Sequence, residues 1–176
     1  CEYKVLDILK KYHKDQGINL KFYGLREKVK KDYIDLNLDI NIIKENIFQK
    51  LHRYSLSNFL FYKIFSKIKM GLSSIEKQLA KEQIDLVYFL GPDIVSHGLT
   101  NIPYIFTLWD LGHLDILEFP EVSYDGQFDR REFTNTRSLK KSYKVIVDSE
   151  WGKQNVIKKY NLDEKRIEVF KFLPNI

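Results

Sequence analysis

Residues able to do chemistry gather in the middle of the chain, between positions 91 and 150. Gly91-Pro92-Asp93 comes first, with Ser96 and His97 just beyond. Trp109-Asp110-Leu111-Gly112-His113 follows, then Glu118-Phe119-Pro120-Glu121, Arg130-Arg131 and Asp148-Ser149-Glu150. Carboxylates, an imidazole, an indole and guanidinium groups at successive chain reversals can line one cleft. The two arginines lie where a helix should begin, and the helix dipole gives them nothing there, so an anion or a carboxylate should offset them. Glu118, Glu121 and Asp125, immediately upstream, are the expected partners. Each residue also has a plain structural reading. Asp110 can cap a turn, His113 can be a packing histidine, and Asp148-Ser149 can cap the next helix with Glu150 at its positive end.

These positions follow short apolar runs. Asp85–Leu90, Pro103–Trp109, Lys144–Val147 and Ile167–Phe172 are nearly continuous in hydrophobic residues, as parallel strands buried on both faces are. Helices fill the gaps near Asp93–Leu99, over Asp129–Lys141, and from Glu150 to Tyr160 behind Ser149. Strands alternating with helices predict an α/β fold, a Rossmann-like parallel sheet with helices on both faces. Ligands of such sheets bind beyond the carboxyl ends of the strands, where the residues above fall. The polar connection Gly112–Gly126 is long for a link that serves no site.

Upstream, the spacing of Val5, Leu6, Ile8, Leu9 and Tyr12 predicts a helix over Glu2–Gln16, closed by Gly17. Asn19–Gly24 reads as a strand, and Leu36, Leu38, Ile40 and Ile42 alternate as a second. An uninterrupted helix is expected from about Lys44 to Met70, closed by Gly71, and Ser73 with Glu76 has capping-box spacing for another through Lys81, although one helix bent at Gly71 fits the pattern equally.

The 176 residues are 44% hydrophobic and 14% aromatic, enough apolar surface to exclude disorder and to fill one domain. The longest uncharged run, Ile94 to Trp109, is too short and too interrupted to span a bilayer. One cysteine excludes an internal disulfide, and no signal peptide is visible, so a soluble cytoplasmic domain is expected. Residues 1–85 carry a net charge of +6 and the remainder −1. Lysine outnumbers arginine 23 to 6, which argues against a reader of nucleic acid. No P-loop, G-x-G-x-x-G, H-E-x-x-H, C-x-x-C or G-x-S-x-G occurs, and the four histidines have no metal-ligand spacing. The chain opens without the buried strand that usually begins such folds, and it ends as a strand exits. A larger parent protein is therefore expected, with 1–176 as a single Rossmann-like domain of it.

Over residues 103–175 a family resemblance emerges. The run I-P-Y-I-F-T-L-W-D-L-G-H-L-D-I-L-E-F-P-E-V-S, then R-R-E-F, K-V-I-V-D-S-E-W-G-K and R-I-E-V-F-K-F-L-P-N, resembles the N-terminal, acceptor-side domain of family-4 GT-B glycosyltransferases. Many members carry His where Trp109 stands, whereas a variant pairs W-D-L with a following histidine, as His113 does here. The resemblance implies one half of a GT-B fold, with the nucleotide-sugar site in a C-terminal donor-binding domain. It implies transfer of a sugar from a nucleotide-sugar donor to a glycan or lipid-linked acceptor, in cell-surface polysaccharide synthesis, with no resident metal or other cofactor. It places Trp109, Asp110 and His113 on the acceptor side and lets Glu121, Arg130 and Arg131 order the cleft loop. Gly91, Asp93, Ser149 and Glu150 are secondary candidates, and no residue is assigned as catalytic base. Activity is expected to need both domains.

A second reading is a peripheral membrane module without chemistry. Leu51–Met70 mixes Phe59, Leu60, Phe61, Phe65 and Met70 with Arg53, Lys63, Lys67 and Lys69, which suits an anionic membrane surface. Both readings join if the acceptor is lipid-linked and the protein works at the inner face of the plasma membrane.

Overall fold

A computed structural model describes residues 2–55, 73–116, 118, 120 and 124–171. The backbone divides into two compact units, Cys1–Asn46 and Ile47–Ile176.

In the first unit, helix α1 spans Glu2–Tyr12 and buries Val5 and Leu6. Strand β1 (Phe22–Gly24) pairs in parallel with β2 (Ile40–Ile42), joined through the short helix α2 (Lys28–Asp32). The alternation of Leu36 and Leu38 does not extend β2. A 3-10 turn over Ile34–Leu36 ends at Asn37 in the left-handed region, φ 46°, and the chain reverses before Ile40. Asn tolerates that backbone because its short polar side chain bonds locally.

The second unit opens with α3 (Ile47–Ser55); the remainder of the expected helix through Met70 lies outside the described residues. Helix α4 (Ser74–Lys81) starts as its capping box predicts, with the Ser73 hydroxyl accepting from the Glu76 N–H at 3.1 Å. Four parallel strands follow in the order β3 (Val87–Phe89), β4 (Tyr104–Leu108), β5 (Lys144–Val147) and β6 (Ile167–Val169). The chain is thus α/β, Rossmann-like, with parallel sheets. Of the runs expected at the sheet centre, β4 and β5 are central, and β3 has a neighbour on one side only among the described residues. The connections are a 3-10 turn at Ile94–Gly98, helices α5 (Gly112–Asp115) and α6 (Gln127–Lys141), and α7 (Glu150–Tyr160).

A sheet read in one direction with right-handed crossovers stacks its connections on one face. The contacts agree. Ser96 of the 3-10 turn meets Ser138 of α6 at 2.6 Å, and Tyr160 of α7 reaches Glu132 of α6. The sheet face below is closed by Tyr104, Phe106, Leu108, Val145, Val147 and Ile167, all buried. Phe89 packs edge-on to Tyr104, ring centroids 5.5 Å apart. On the opposite face Thr107 bonds the Tyr88 hydroxyl, and Lys144 pairs with Glu168 at 2.7 Å. That pair is why the strands are not uniformly apolar.

Two cationic side chains secure the amino-terminal end of this layer. Arg166 donates to the Leu139 carbonyl at 2.7 Å and also to that of Ser142, which satisfies carbonyls that the end of α6 leaves open. Lys141 donates to the Leu99 carbonyl at 2.7 Å. Burial, reinforced by the Arg137 charge, lowers the pKa of Lys141.

Candidate functional site

The sheet register sets the site. Leu108 pairs with Val147, and Val147 with Val169. The residues that follow, Trp109, Asp148 and Phe170, therefore leave the carboxyl edge at one level, with Asp110 and Ser149 next to them. Gly91 and Asp93 leave the end of β3 at the same edge.

Asp110 is exposed, and its Oδ1 accepts from the Gly112 N–H at 2.9 Å, closing a tight turn. A Cβ at Gly112 would stand 3.2 Å from that oxygen, so glycine suits the close approach. Arg131, in the second turn of α6, reaches the same Oδ1 at 3.6 Å. Both partners are exposed, so the pair adds about 0–1 kcal/mol to stability and leaves the carboxylate and guanidinium open to a ligand. Among the described residues Arg131 therefore pairs with Asp110 and not with Glu118 or Asp125 of the upstream loop, while Glu121, the third expected partner, lies outside the described residues. Arg130 touches that loop through the Asp125 carbonyl, at 3.4 Å, rather than through a carboxylate. Asp125 and Gly126 both take left-handed backbone, φ 53° and 67°, and this double reversal turns the chain into α6. Glu121 lies outside the described residues; Glu118 is described and exposed.

His113 is the larger correction. Expected at the open edge, it is 0% exposed. Its Nε2 meets Glu132 Oε1 at 2.9 Å, and the Tyr160 hydroxyl donates to the same oxygen. The Phe128 ring lies edge-on to the imidazole, with ring centroids 5.8 Å apart. With Glu132 ionised, the hydrogen sits on Nε2. Nδ1 is buried with no hydrogen-bond partner among the described residues. Burial, then the Glu132 bond and charge, pushes the Tyr160 hydroxyl far above its ordinary range, so it stays a donor. The one-turn helix α5 rotates His113 inward beneath α6, whereas Asp110 stays on the turn before it. Lys159 of α7 pairs with Asp115 beside this cluster.

Of the secondary candidates, Asp93 and Ser149 are helix caps. Asp93 Oδ1 accepts from the Val95 N–H at 2.8 Å, and its carbonyl takes the Ser96 hydroxyl at 2.7 Å. Ser149 accepts from the Gly152 N–H at 3.1 Å and donates to Asp148 Oδ1 at 2.9 Å. A Cβ at Gly152 would come within 3.0 Å of that Asp148 oxygen. Gly91 is half-buried at the β3 end, while Glu150 and Trp151 are exposed at the start of α7. Trp109 is half-buried.

One buried carboxylate was assigned only a capping role by its spacing. Glu76, 0% exposed, reaches away from Ser73 and takes four bonds from the segment entering β4. Its donors are the N–H groups of Thr100 (2.7 Å), Asn101 (2.6 Å) and Ile102 (3.0 Å), and the Thr100 hydroxyl (2.8 Å). Burial alone would raise its pKa, but the donors of Asn101, Ile102 and Thr100 together hold it below the ordinary carboxylate range. No signal in the sequence joins Glu76 to residues 100–102.

No group of three or more His, Cys, Asp or Glu side chains among the described residues could hold a metal ion, and no described helix is long and apolar enough to cross a membrane. Among known proteins, the chain matches no family model and no curated protein.

Proposed function

We propose that this chain is the acceptor-facing half of a GT-B glycosyltransferase resembling family 4, moving a sugar from a nucleotide-sugar donor to a glycan or lipid-linked acceptor. The observation that carries the reading is the carboxyl edge of β4 and β5. There Trp109 and the exposed Asp110–Arg131 pair follow β4, and the exposed Glu150 follows the neighbouring strand β5, at the edge where parallel α/β sheets take ligands. An exposed carboxylate can accept hydrogen bonds from acceptor hydroxyls, and an adjacent guanidinium can hold a phosphate-linked acceptor. Positioning of that kind is what glycosyl transfer asks of the acceptor side, because an acceptor oxygen must meet an oxocarbenium-like carbon in line. Positive charge for the departing diphosphate is assigned to a second, donor-binding domain, with no resident metal or cofactor. His113 is removed from the acceptor contacts and becomes a support beneath them.

The test uses the full-length parent protein, radiolabelled nucleotide sugars and membrane-lipid or oligosaccharide acceptors. Asp110→Asn and Arg131→Ala should each lower kcat/KM at least tenfold while leaving the unfolding midpoint in place. Transfer at full rate in both variants would remove this edge from the acceptor site.

A further inference from the structure

Two exposed aromatic residues follow β5 and β6 at the carboxyl edge of the sheet. Val147 pairs with Val169, and the Phe170 N–H donates to the Val147 carbonyl at 2.8 Å, so Phe170 and Asp148 leave neighbouring strand ends. The first turn of α7 then folds back on Asp148. Ser149 bonds both Asp148 Oδ1 and the Gly152 N–H, and a Cβ at Gly152 would stand 3.0 Å from that same oxygen. Trp151, one residue before Gly152, is thereby held at this strand end. It is 66% exposed, and Phe170 is 38% exposed. Among the described residues the Trp151 indole makes no ring contact and no hydrogen bond. One exposed apolar side chain is ordinary, but two aromatics on either side of one carboxylate, at the edge where such sheets take ligands, are not scattered exposure.

The charges around the rings define what fits. Asp148 and Glu150 are exposed, and neither forms an ion pair among the described residues. Lys153, in the same turn as Glu150, pairs instead with Glu164 at 2.8 Å. Two such carboxylates oppose phosphate or anionic lipid, while the exposed Lys171, directly after Phe170, opposes an organic cation. Carboxylates accept strongly from hydroxyl groups. The face of an aromatic ring is partly negative and attracts the weakly positive C–H face of a ligand. A neutral sugar ring joins a C–H face to a rim of hydroxyl donors, and so meets both conditions.

We propose that Trp151 is the stacking platform for a neutral sugar ring of the acceptor, with Glu150 and Asp148 accepting hydrogen bonds from its hydroxyls. This assignment rests on the glycosyltransferase reading and adds to it: the sugar is held beyond β5 and β6, apart from the Asp110–Arg131 pair beyond β4.

Steady-state kinetics of the full-length parent protein test it, with the acceptor and the nucleotide sugar varied in turn. Trp151→Ala should raise the acceptor KM about tenfold and leave kcat and the donor KM within about twofold. Trp151→Phe should restore most of the loss, whereas Trp151→Leu, apolar but without an aromatic face, should not. The site is exposed, so the unfolding midpoint should stay in place in all three variants. An unchanged acceptor KM in Trp151→Ala, or a change in the donor KM alone, would overturn the platform; if Asp110→Asn still impaired transfer, the glycosyltransferase reading would stand without it. A second measurement needs no turnover. Calorimetric titration of the 176-residue chain with maltotriose, chitotriose and mannotriose should show saturable binding of at least one, lost in Trp151→Ala and untouched by choline chloride. If the wild-type parent transfers no sugar, the glycosyltransferase reading falls and this titration decides the platform. No saccharide bound, binding kept in Trp151→Ala, or displacement by choline would then each overturn it.

Discussion

Asp110 and His113 are three residues apart in one strand-end motif, and they end in opposite surroundings. Asp110 and its partner Arg131 stand in solvent at the carboxyl edge. His113 is enclosed beneath that edge, where Glu132 of α6 meets its imidazole and is itself bonded by the Tyr160 hydroxyl of α7. Glu76 repeats the second pattern near the start of β4, a buried carboxylate satisfied by four donors. Buried charges persist only when their neighbours complete their bonds, so removing such a group leaves donors stranded. An exposed pair loses almost nothing when it is cut, and its groups remain available to a ligand.

Substitutions at Glu76, Glu132 and Arg131 would sharpen or break this contrast, taken in order of expected effect. Glu76→Ala strands three backbone N–H groups and a hydroxyl, and should cost about 3–4 kcal/mol in urea unfolding. A loss under about 1 kcal/mol would mean that residues 100–102 find water instead. Glu132→Ala leaves both the His113 imidazole and the Tyr160 hydroxyl without their acceptor, an expected loss of about 2–3 kcal/mol. Glu132→Gln keeps an acceptor oxygen and should recover about half of that.

Acid should find Glu76 before it affects the surface. The folded pKa of this carboxyl lies below its unfolded value, so its contribution is complete at neutral pH and is lost as pH falls through the acidic range. The wild type should therefore lose more stability between about pH 6 and pH 3 than Glu76→Gln does. Parallel pH curves for the two proteins would contradict this. Last and smallest, Arg131→Ala should change stability by less than about 0.5 kcal/mol, since the pair it breaks is exposed.

How much of this could be read from residue order depends on the range of the interaction. Helix α7 and the Ser73 and Ser149 caps fall where expected because each rests on neighbours within four residues, and β5 falls where expected because its apolar run marks a strand buried on both faces. The run Leu36–Ile42 has the strand period but not the strand, since a left-handed Asn37 interrupts it, and periodicity does not register a chain reversal. The site divides in the same way. Trp109, Asp110 and Arg131 could be selected because strand ends attract ligands. That Arg131 meets Asp110 depends on how α6 lies over the edge. The burial of His113 has its cause in Glu132, 19 residues later, and in Tyr160 beyond it. No local pattern in the sequence carries that information.

The central claim is that this motif divides between a ligand-facing surface and a structural support, and one comparison tests it most directly. Urea unfolding of Asp110→Asn and His113→Ala should be measured side by side at neutral pH. Asp110→Asn keeps the oxygen that closes the turn and should stay within about 0.5 kcal/mol of the wild type. His113→Ala leaves a cavity and takes one of its two donors from Glu132, and should lose about 2–4 kcal/mol. Equal losses in the two variants, or the larger loss at Asp110, would contradict the division.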